Sequence, residues 1–115
     1  MHLKPKNKKL NILFKNILKK LNAGKIILYP TDTVWGIGCD ATNEEAVQKI
    51  YTLKQRQHAK SLIVLMNNDA MLNKYVQDVP PLAWDLIDLS TAPLTIIYPG
   101  AKNLANNVVS QDGSI

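Results

Sequence analysis

Three short apolar runs restrict what this chain can fold into more than any other feature of its sequence. Residues 26–29 and 62–66 are wholly apolar, and residues 94–98 contain a single threonine. Runs of this length that are rich in branched side chains are typical of strands covered on both faces. Segments with helical periodicity separate them, in the order α-β-(β)-α-β-α-α-β. The sequence therefore predicts an α/β fold, with a twisted mixed sheet flanked by helices.

Helical spacing and cap residues define the segments between the runs. The first helix ends at Gly24, a typical C-terminal cap. Thr42 and Glu45 have capping-box spacing, which predicts a helix that continues toward Lys54. The predicted apolar face of the first helix comprises Leu10, Leu13, Phe14, Ile17, Leu18 and Leu21.

Two more helices are expected between the second and third runs. A short one spans residues 68–76 and is capped by Asn68 or Asp69. The other begins at Pro80 and Pro81, because proline suits the first turn of a helix. Its predicted buried side comprises Leu82, Leu86, Ile87 and Leu89.

The length of 115 residues fits one domain, residues 1–115. A single cysteine excludes an internal disulfide and favours a reducing compartment, and the apolar runs are too short to cross a membrane, so a cytoplasmic protein is expected. Residues 111–113 read as a turn, and Ser114 and Ile115 as the start of a further strand. The domain is therefore expected to be incomplete on its C-terminal side.

Positive charge is concentrated at the N-terminus. Residues 1–25 contain eight lysines and no acidic residue, while the whole chain carries a net charge of +5. Residues 1–9 are expected to form a flexible basic arm. Such an arm and helix could contact nucleic-acid phosphate, or the lysines could simply form a solvated helix face. Residues 1–25 contain no arginine and a single aromatic residue, Phe14, which favours the second interpretation.

The first segment that could carry chemistry is residues 29–40, Tyr-Pro-Thr-Asp-Thr-Val-Trp-Gly-Ile-Gly-Cys-Asp. Hydroxyls and glycines directly after a buried strand can hold a small polar ligand at a sheet edge. Thr31 and Thr33 could donate hydrogen bonds to a carboxylate. A turn that joins two strands accounts for the same residues equally well.

The second segment is residues 54–60, with Lys54, Arg56 and Lys60 and no acidic residue. Cations this close together create a positive potential that a triphosphate would relieve. A solvated loop after a helix is the alternative, because cations near a helix C-terminus also suit its dipole.

In this order and at this separation, the two segments resemble the threonylcarbamoyl-adenylate synthase family, also called the YrdC domain. The motif in residues 29–39, the Lys-x-Arg of Lys54 and Arg56, Lys60 and the strand at 62–66 follow its pattern, as does Pro-Leu-Thr at 93–95. The resemblance covers about Leu10 to Ile115. It implies a YrdC-like fold.

The resemblance also implies an activity and a site. Such enzymes form threonylcarbamoyl-AMP and pyrophosphate from L-threonine, bicarbonate and ATP, with Mg²⁺, to supply the threonylcarbamoyl modification of adenosine 37 in tRNA by a downstream transferase. By position, Thr33 would contact threonine and Thr31 would shape its pocket. Lys54, Arg56 and Lys60 would face ATP, and Ser114 would lie near the nucleotide. The resemblance assigns no catalytic residue and no metal ligand.

Departures from the family pattern leave a second function class open. Gln57 and Ser61 stand where prolines are frequent, and residues 90–92 replace a Trp-Pro-Gly. The family continues beyond the Ser114 region with Arg-x-Pro and Ser-x-Asn segments, so the 115 residues alone are expected to be inactive. The alternative is a non-catalytic RNA-binding module for double-stranded RNA or tRNA.

Overall fold

The computed structural model describes residues 8–54 and 62–115. Helix α1 spans Lys8–Asn22, and strands β1 (Ile27–Pro30) and β2 (Trp35–Gly38) follow it. Helix α2 covers Glu44–Lys54. A 3-10 turn at Asp69–Met71 leads into α3 (Leu72–Tyr75), and α4 spans Pro81–Leu89. Arg56 and Lys60, and all but the end of the expected basic arm, lie outside the described residues.

The sheet within residues 8–54 and 62–115 is smaller than expected. Strands β1 and β2 form an antiparallel hairpin in which Tyr29 lies opposite Gly36. The predicted strands at 62–66 and 94–98 were wrong as ladder-forming strands, because these segments have no neighbouring backbone to pair with along their length. Side-chain exposure nevertheless alternates along 62–66, with Ile63 and Leu65 73% and 76% exposed. That alternation is the period of a strand.

The chain begins to pair again at its last residue. The Tyr98 amide donates to the Ile115 carbonyl at 2.8 Å, and the Ile115 amide donates to the Tyr98 carbonyl at 2.9 Å. Two residues that exchange both bonds form the hydrogen-bonded pair of an antiparallel ladder. The expectation that Ser114 and Ile115 start a strand agrees with this geometry.

Helix α1 ends as predicted, but its apolar face is not covered. Gly24 has φ of 77°, and the amides of Gly24 and Lys25 donate to the carbonyls of Leu21 and Lys20. These bonds form a Schellman cap, which needs a left-handed residue and therefore favours glycine. Four residues of the predicted apolar face, Leu10, Leu13, Phe14 and Leu18, are exposed, because few described residues pack on that side.

The N-terminus of α2 is capped one residue later than the sequence indicated. Asn43, not Thr42, provides the cap, and its side-chain oxygen accepts a hydrogen bond of 3.0 Å from the Ala46 amide. Thr42 instead donates from its amide and its hydroxyl to the Asp40 carboxylate. The capping-box prediction was therefore wrong, because the nearby carboxylate engages the threonine in a local turn.

Two apolar clusters form the core. The first packs Val47 and Tyr51 of α2 against Ala105 and Val108, and the second packs Leu72 and Val76 against Ala83 and Tyr98. Of the four residues predicted for the buried side of helix α4, Ile87 packs against the core and the three leucines do not. Leu82, Leu86 and Leu89 are exposed, whereas Ala83 is buried, and Trp84 and Ile87 contact the second cluster. The small Ala83 side chain lets the helix backbone approach that cluster closely.

Helix starts and membrane length add two observations. The Asn68 side chain caps the 3-10 turn by accepting from the Met71 amide at 3.1 Å, and Pro81 opens α4, both as predicted. None of the helices among the described residues has the length and apolar character needed to cross a membrane.

A carboxylate-centred turn precedes the final pair. Asp112 accepts hydrogen bonds from the Ser114 hydroxyl at 2.6 Å and from the Ser114 amide at 3.0 Å. These bonds favour the ionised carboxylate and lower the pKa of Asp112. The turn also places Gly113 at φ of 85°, which suits glycine.

We expect Asn43→Ala to lower the free energy of unfolding by about 1 kcal/mol, because the Ala46 amide loses its cap. Thr42→Ala should cost less, since the Asp40 turn is exposed. Urea unfolding of both variants measures the difference. A larger loss in Thr42→Ala would contradict the assignment of Asn43 as the cap.

The turn at Asp112 predicts a pH dependence. Because folding lowers the pKa of Asp112, its contribution to stability is complete above the unfolded pKa of about 4 and is lost as the pH falls through the folded value. The difference in unfolding free energy between the native chain and Asp112→Asn should therefore shrink from pH 6 to pH 3. Ser114→Ala, which removes the hydroxyl donor, is the matched variant, and a gap independent of pH would contradict the prediction.

Candidate functional site

Thr31 organises the loop that joins β1 to β2. Its hydroxyl donates to the Val34 carbonyl and accepts from the amides of Thr33 at 3.3 Å and Val34 at 3.1 Å. The Thr31 amide also donates to the Val34 carbonyl at 3.2 Å. One side chain therefore closes the hairpin tip by local hydrogen bonds, as threonine does in turns.

The two threonines of this loop are not equivalent. A hydroxyl has one proton and two lone pairs, and all three are used at Thr31. The Thr31 proton is engaged within the loop, so a donor role for Thr31 toward a carboxylate stays a prediction. Thr33 is exposed, and among the described residues its hydroxyl oxygen lies 3.5 Å from the hydroxyl oxygen of Thr31. Its proton can therefore be given to a ligand.

Tyr29 lies flat across the glycines of the opposite strand. A Cβ atom built on Gly36 would lie 2.6 Å from the Tyr29 ring, and one on Gly38 would lie 3.1 Å from it. Tyr29 and Gly36 are direct cross-strand partners. An aromatic ring over a glycine restores the packing that the missing side chain leaves open in a strand. The Tyr-Pro-Thr and Gly-x-Gly parts of the motif are therefore one unit.

The first cavity lies between the hairpin and residues 62–66. Its volume is about 980 Å³, and its walls include Tyr29, Gly36 and Lys54. Lys54 is the last residue of α2, so it brings a cation to the end of a helix whose carbonyls point toward the same region. The other lining residues are mainly apolar. Among the described residues that line this cavity, Lys54 provides the positive charge.

A second cavity, of about 870 Å³, adjoins the first. Residues 62–66 form a wall of both, and residues 94–98 face them across the second. Ser114 lines this second cavity with its hydroxyl bound to Asp112. Lys54 thus lines the first cavity and Ser114 the second, and residues 62–66 line both.

The proposed site residues are only partly brought together. Lys54 and Ser114 line adjoining cavities, whereas neither cavity is lined by Thr31 or Thr33, which lie at the hairpin tip. Arg56 and Lys60 fall outside the described residues. Within residues 8–54 and 62–115, no group of three acidic, histidine or cysteine side chains is arranged to hold a metal ion.

Cys39 ends the motif and is half-buried against the first apolar cluster. Burial is the main cause that raises the pKa of its thiol, and the neighbouring Asp40 carboxylate raises it further. A thiol with a raised pKa is a poor nucleophile at neutral pH. Cys39 is therefore better described as a small packing residue than as a nucleophile.

Sequence reasoning missed the role of Tyr29. The sequence pattern gives Tyr29 only as the last apolar residue of a strand, although Tyr29, Gly36 and Gly38 fit together in the hairpin. The signal was present in the spacing, because a hairpin loop between 30 and 35 places residues 29 and 36 opposite each other.

Curated relatives support the motif assignment. The chain is 38% identical over 106 residues to a protein of Vibrio campbellii named threonylcarbamoyl-AMP synthase, covering 89% of this chain and 57% of the relative. It is 38% identical over 98 residues to a protein of the same name from Pseudoalteromonas translucida, covering 83% of this chain and 52% of the relative. The chain spans about half the length of the curated relatives it matches.

Solved structures confirm the α/β fold class. Sua5 of P. abyssi complexed with L-threonine matches with a TM-score of 0.80 at 24% identity, over 88% of this chain and 30% of that one. A second structure, H234A/Y235A P. abyssi Sua5, gives a TM-score of 0.78. The helices, the hairpin and the extended segments thus follow the path of a known fold.

The family comparison covers most of the chain. Residues 19–115 match the model of the Sua5, YciO and YrdC proteins, which carries the description "Telomere recombination". The match includes the hairpin motif, Lys54 and Ser114, and so confirms the resemblance that the motifs indicated. The chain belongs to the Sua5/YciO/YrdC family.

Proposed function

We propose that this protein acts as a threonylcarbamoyl-AMP synthase, which forms threonylcarbamoyl-AMP and pyrophosphate from L-threonine, bicarbonate and ATP. The observation that carries the proposal is the 38% identity over 89% of the chain to a relative with that name. The likeness to a Sua5 that is complexed with L-threonine adds support for the amino-acid substrate. The product would serve a downstream transferase that modifies adenosine 37 of tRNA.

Thr33 is the proposed contact for L-threonine. Its exposed hydroxyl retains a proton, while Thr31 uses its own hydroxyl to hold the loop. A hydroxyl that donates to a carboxylate makes a charge-assisted hydrogen bond, which is stronger than a neutral one. Thr31 is therefore a positioning residue in this proposal, and Thr33 is a binding residue.

ATP would be held by Lys54, Arg56 and Lys60, with Ser114 near the nucleotide. Support for Lys54 comes from its place in the wall of the first cavity, at the C-terminal end of α2. A guanidinium at Arg56 would grip phosphate oxygens in a bidentate manner, and Lys60 would act as a point charge. Ser114 has less capacity, since its hydroxyl proton is given to Asp112.

Any Mg²⁺ would arrive with the nucleotide. The described residues provide no cluster of three ligating side chains, and Mg²⁺ is commonly held through substrate phosphates and water with few protein ligands. When bound, the ion would neutralise charge on the phosphates. The contribution of this chain would be to bind and orient threonine and ATP.

The RNA-binding alternative is not favoured by the comparisons, whose relatives are named as synthases. A cytoplasmic location, where tRNA and ATP are both available, remains a proposal. The lysines of α1 are consistent with a passing contact with tRNA but do not require one.

Removing the Thr33 hydroxyl should weaken L-threonine binding. We expect Thr33→Val to raise the Kd about tenfold, since one lost hydrogen bond to a charged group costs about 1.5 kcal/mol. Isothermal titration calorimetry measures the change, and Thr33→Ser, which keeps the hydroxyl, is the control. Thr31→Val should also raise the Kd. In that variant the Val34 amide should in addition exchange faster with solvent, because it loses its hydrogen-bond acceptor. Unchanged affinity in Thr33→Val would remove Thr33 from the site.

Removing the charge at residue 54 should weaken ATP binding. We expect Lys54→Ala to raise the Kd for ATP about fivefold at low salt, and less at high salt, because an exposed charge is screened. Lys15→Ala on α1 is the matched control, since it removes the same charge outside the first cavity. Equal effects of the two variants would mean that Lys54 acts only through net charge.

The 115 residues on their own are expected to show no turnover. Pyrophosphate release from ATP, with L-threonine and bicarbonate present, measures this directly. Synthesis of threonylcarbamoyl-AMP at a steady rate by the isolated chain would refute the expectation and would leave the synthase proposal itself intact.

A further inference from the structure

Helix α4 presents an apolar stripe on its exposed side. Leu82, Leu86 and Leu89 follow i, i+4 and i+7 spacing, so they share one side of the helix. Leu82 is 66% exposed and Leu89 is 80% exposed, while another side of the helix packs Ala83 against the second cluster. A contiguous exposed apolar patch marks an interaction surface in many proteins.

Negative charge accompanies this stripe. Asp85 and Asp88 are exposed on α4, and the sequence of the helix contains no basic residue. Residues 75–101 contain three aspartates and no lysine, arginine or histidine, although the whole chain carries a net charge of +5. A partner for this side of α4 should therefore combine an apolar face with positive charge.

Helix α1 has that combination. Leu13, Phe14 and Leu18 are exposed on one side of the helix, which carries five lysines and no acidic residue. Lys9 and Lys20 lie four residues before and seven residues after Leu13, so helical spacing places both next to the apolar side. The two helices therefore have matching apolar faces and opposite charges.

Charge decides which of these helices would pair. Two α1 helices side by side would bring lysines together, and two α4 helices would bring aspartates together, so pairs of the same helix are repelled. A contact between α1 and α4 sets lysine against aspartate while the apolar side chains pack on each other. Within one copy, α1 packs against β1 and its leucines remain exposed, so a second copy has to supply the contact.

We propose that two copies of this chain associate, with α1 of one copy lying on the acidic, apolar side of α4 of the other. The helices have 15 and 9 residues, so each contact is small and the association is weak and reversible. Because every copy carries both helices, the same contact can form twice in a reciprocal pair. The inference concerns assembly and does not depend on the proposed function.

Sedimentation equilibrium of the 115-residue chain at high micromolar concentration and low salt tests the contact. We expect a reversible dimer whose Kd rises with salt, because exposed charges are screened. The double variants Lys9→Glu/Lys20→Glu and Asp85→Lys/Asp88→Lys should each raise this Kd about tenfold, since repulsion between exposed charges replaces attraction. An equimolar mixture of the two variants should associate again, because lysine then faces an acidic residue in both contacts of the mixed pair.

Matched controls separate this contact from a general effect of charge or hydrophobicity. Lys8→Glu/Lys19→Glu reverses the same amount of charge on the opposite side of α1, and should leave the Kd nearly unchanged. Leu89→Gln should weaken the dimer, whereas Leu53→Gln, at an exposed leucine of α2, should not. Far-UV circular dichroism of every variant checks that its helices are retained.

Three results would overturn the proposal. The first is a chain that stays monomeric under these conditions, including one that binds vesicles of anionic lipid through α1, since a lipid surface would then be the partner of that face. The second is a dimer that Lys9→Glu/Lys20→Glu weakens no more than Lys8→Glu/Lys19→Glu does. The third is a mixture of the two charge-reversed variants that associates no better than either variant alone.

Discussion

A hydrogen bond from a buried tyrosine to a loop carbonyl anchors the part of the structure on which the site depends. The Tyr51 hydroxyl, in the third turn of α2, donates to the Asn107 carbonyl at 3.0 Å. The Asn107 side chain returns a bond of 2.8 Å to the Glu44 carbonyl, and the Ala105 amide donates to the Ala41 carbonyl. Irregular backbone at 104–109 is thus tied to the start of α2 and to its third turn.

This anchoring sets the geometry of the first cavity. Because α2 is held along its buried side by Val47 and Tyr51, its last residue, Lys54, has a defined place at the cavity wall. The same helix begins directly after the motif that forms β2, so the hairpin and the cation are linked through a rigid rod. Binding sites gain precision when their residues are placed on such elements.

The sequence predicted most of the local structure, because local signals decide it. The glycine cap at Gly24 and the proline start at Pro81 depend on residues close in the chain. The prediction for the cap of α2 was wrong by one residue, because Thr42 donates hydrogen bonds to Asp40, and the periodicity of the sequence does not reveal these bonds. The prediction of paired strands at 62–66 and 94–98 was wrong for another reason, because strand pairing depends on a partner that is distant in sequence. The hydrogen bonds of the Thr31 hydroxyl likewise follow from the geometry of the loop.

The ring of Tyr29 occupies the volume that side chains at residues 36 and 38 would need. Neither Tyr29 nor its cross-strand partner Gly36 can therefore be replaced alone without a loss of stability. A larger residue at 36 would meet the ring, and a smaller residue at 29 would expose two glycines in a strand, where they are poorly ordered. Over evolutionary time such a pair should change by compensated steps. Chains with a small residue at position 29 should be the ones that accept a side chain at position 36. In an alignment of relatives, the residues at these two positions would therefore covary.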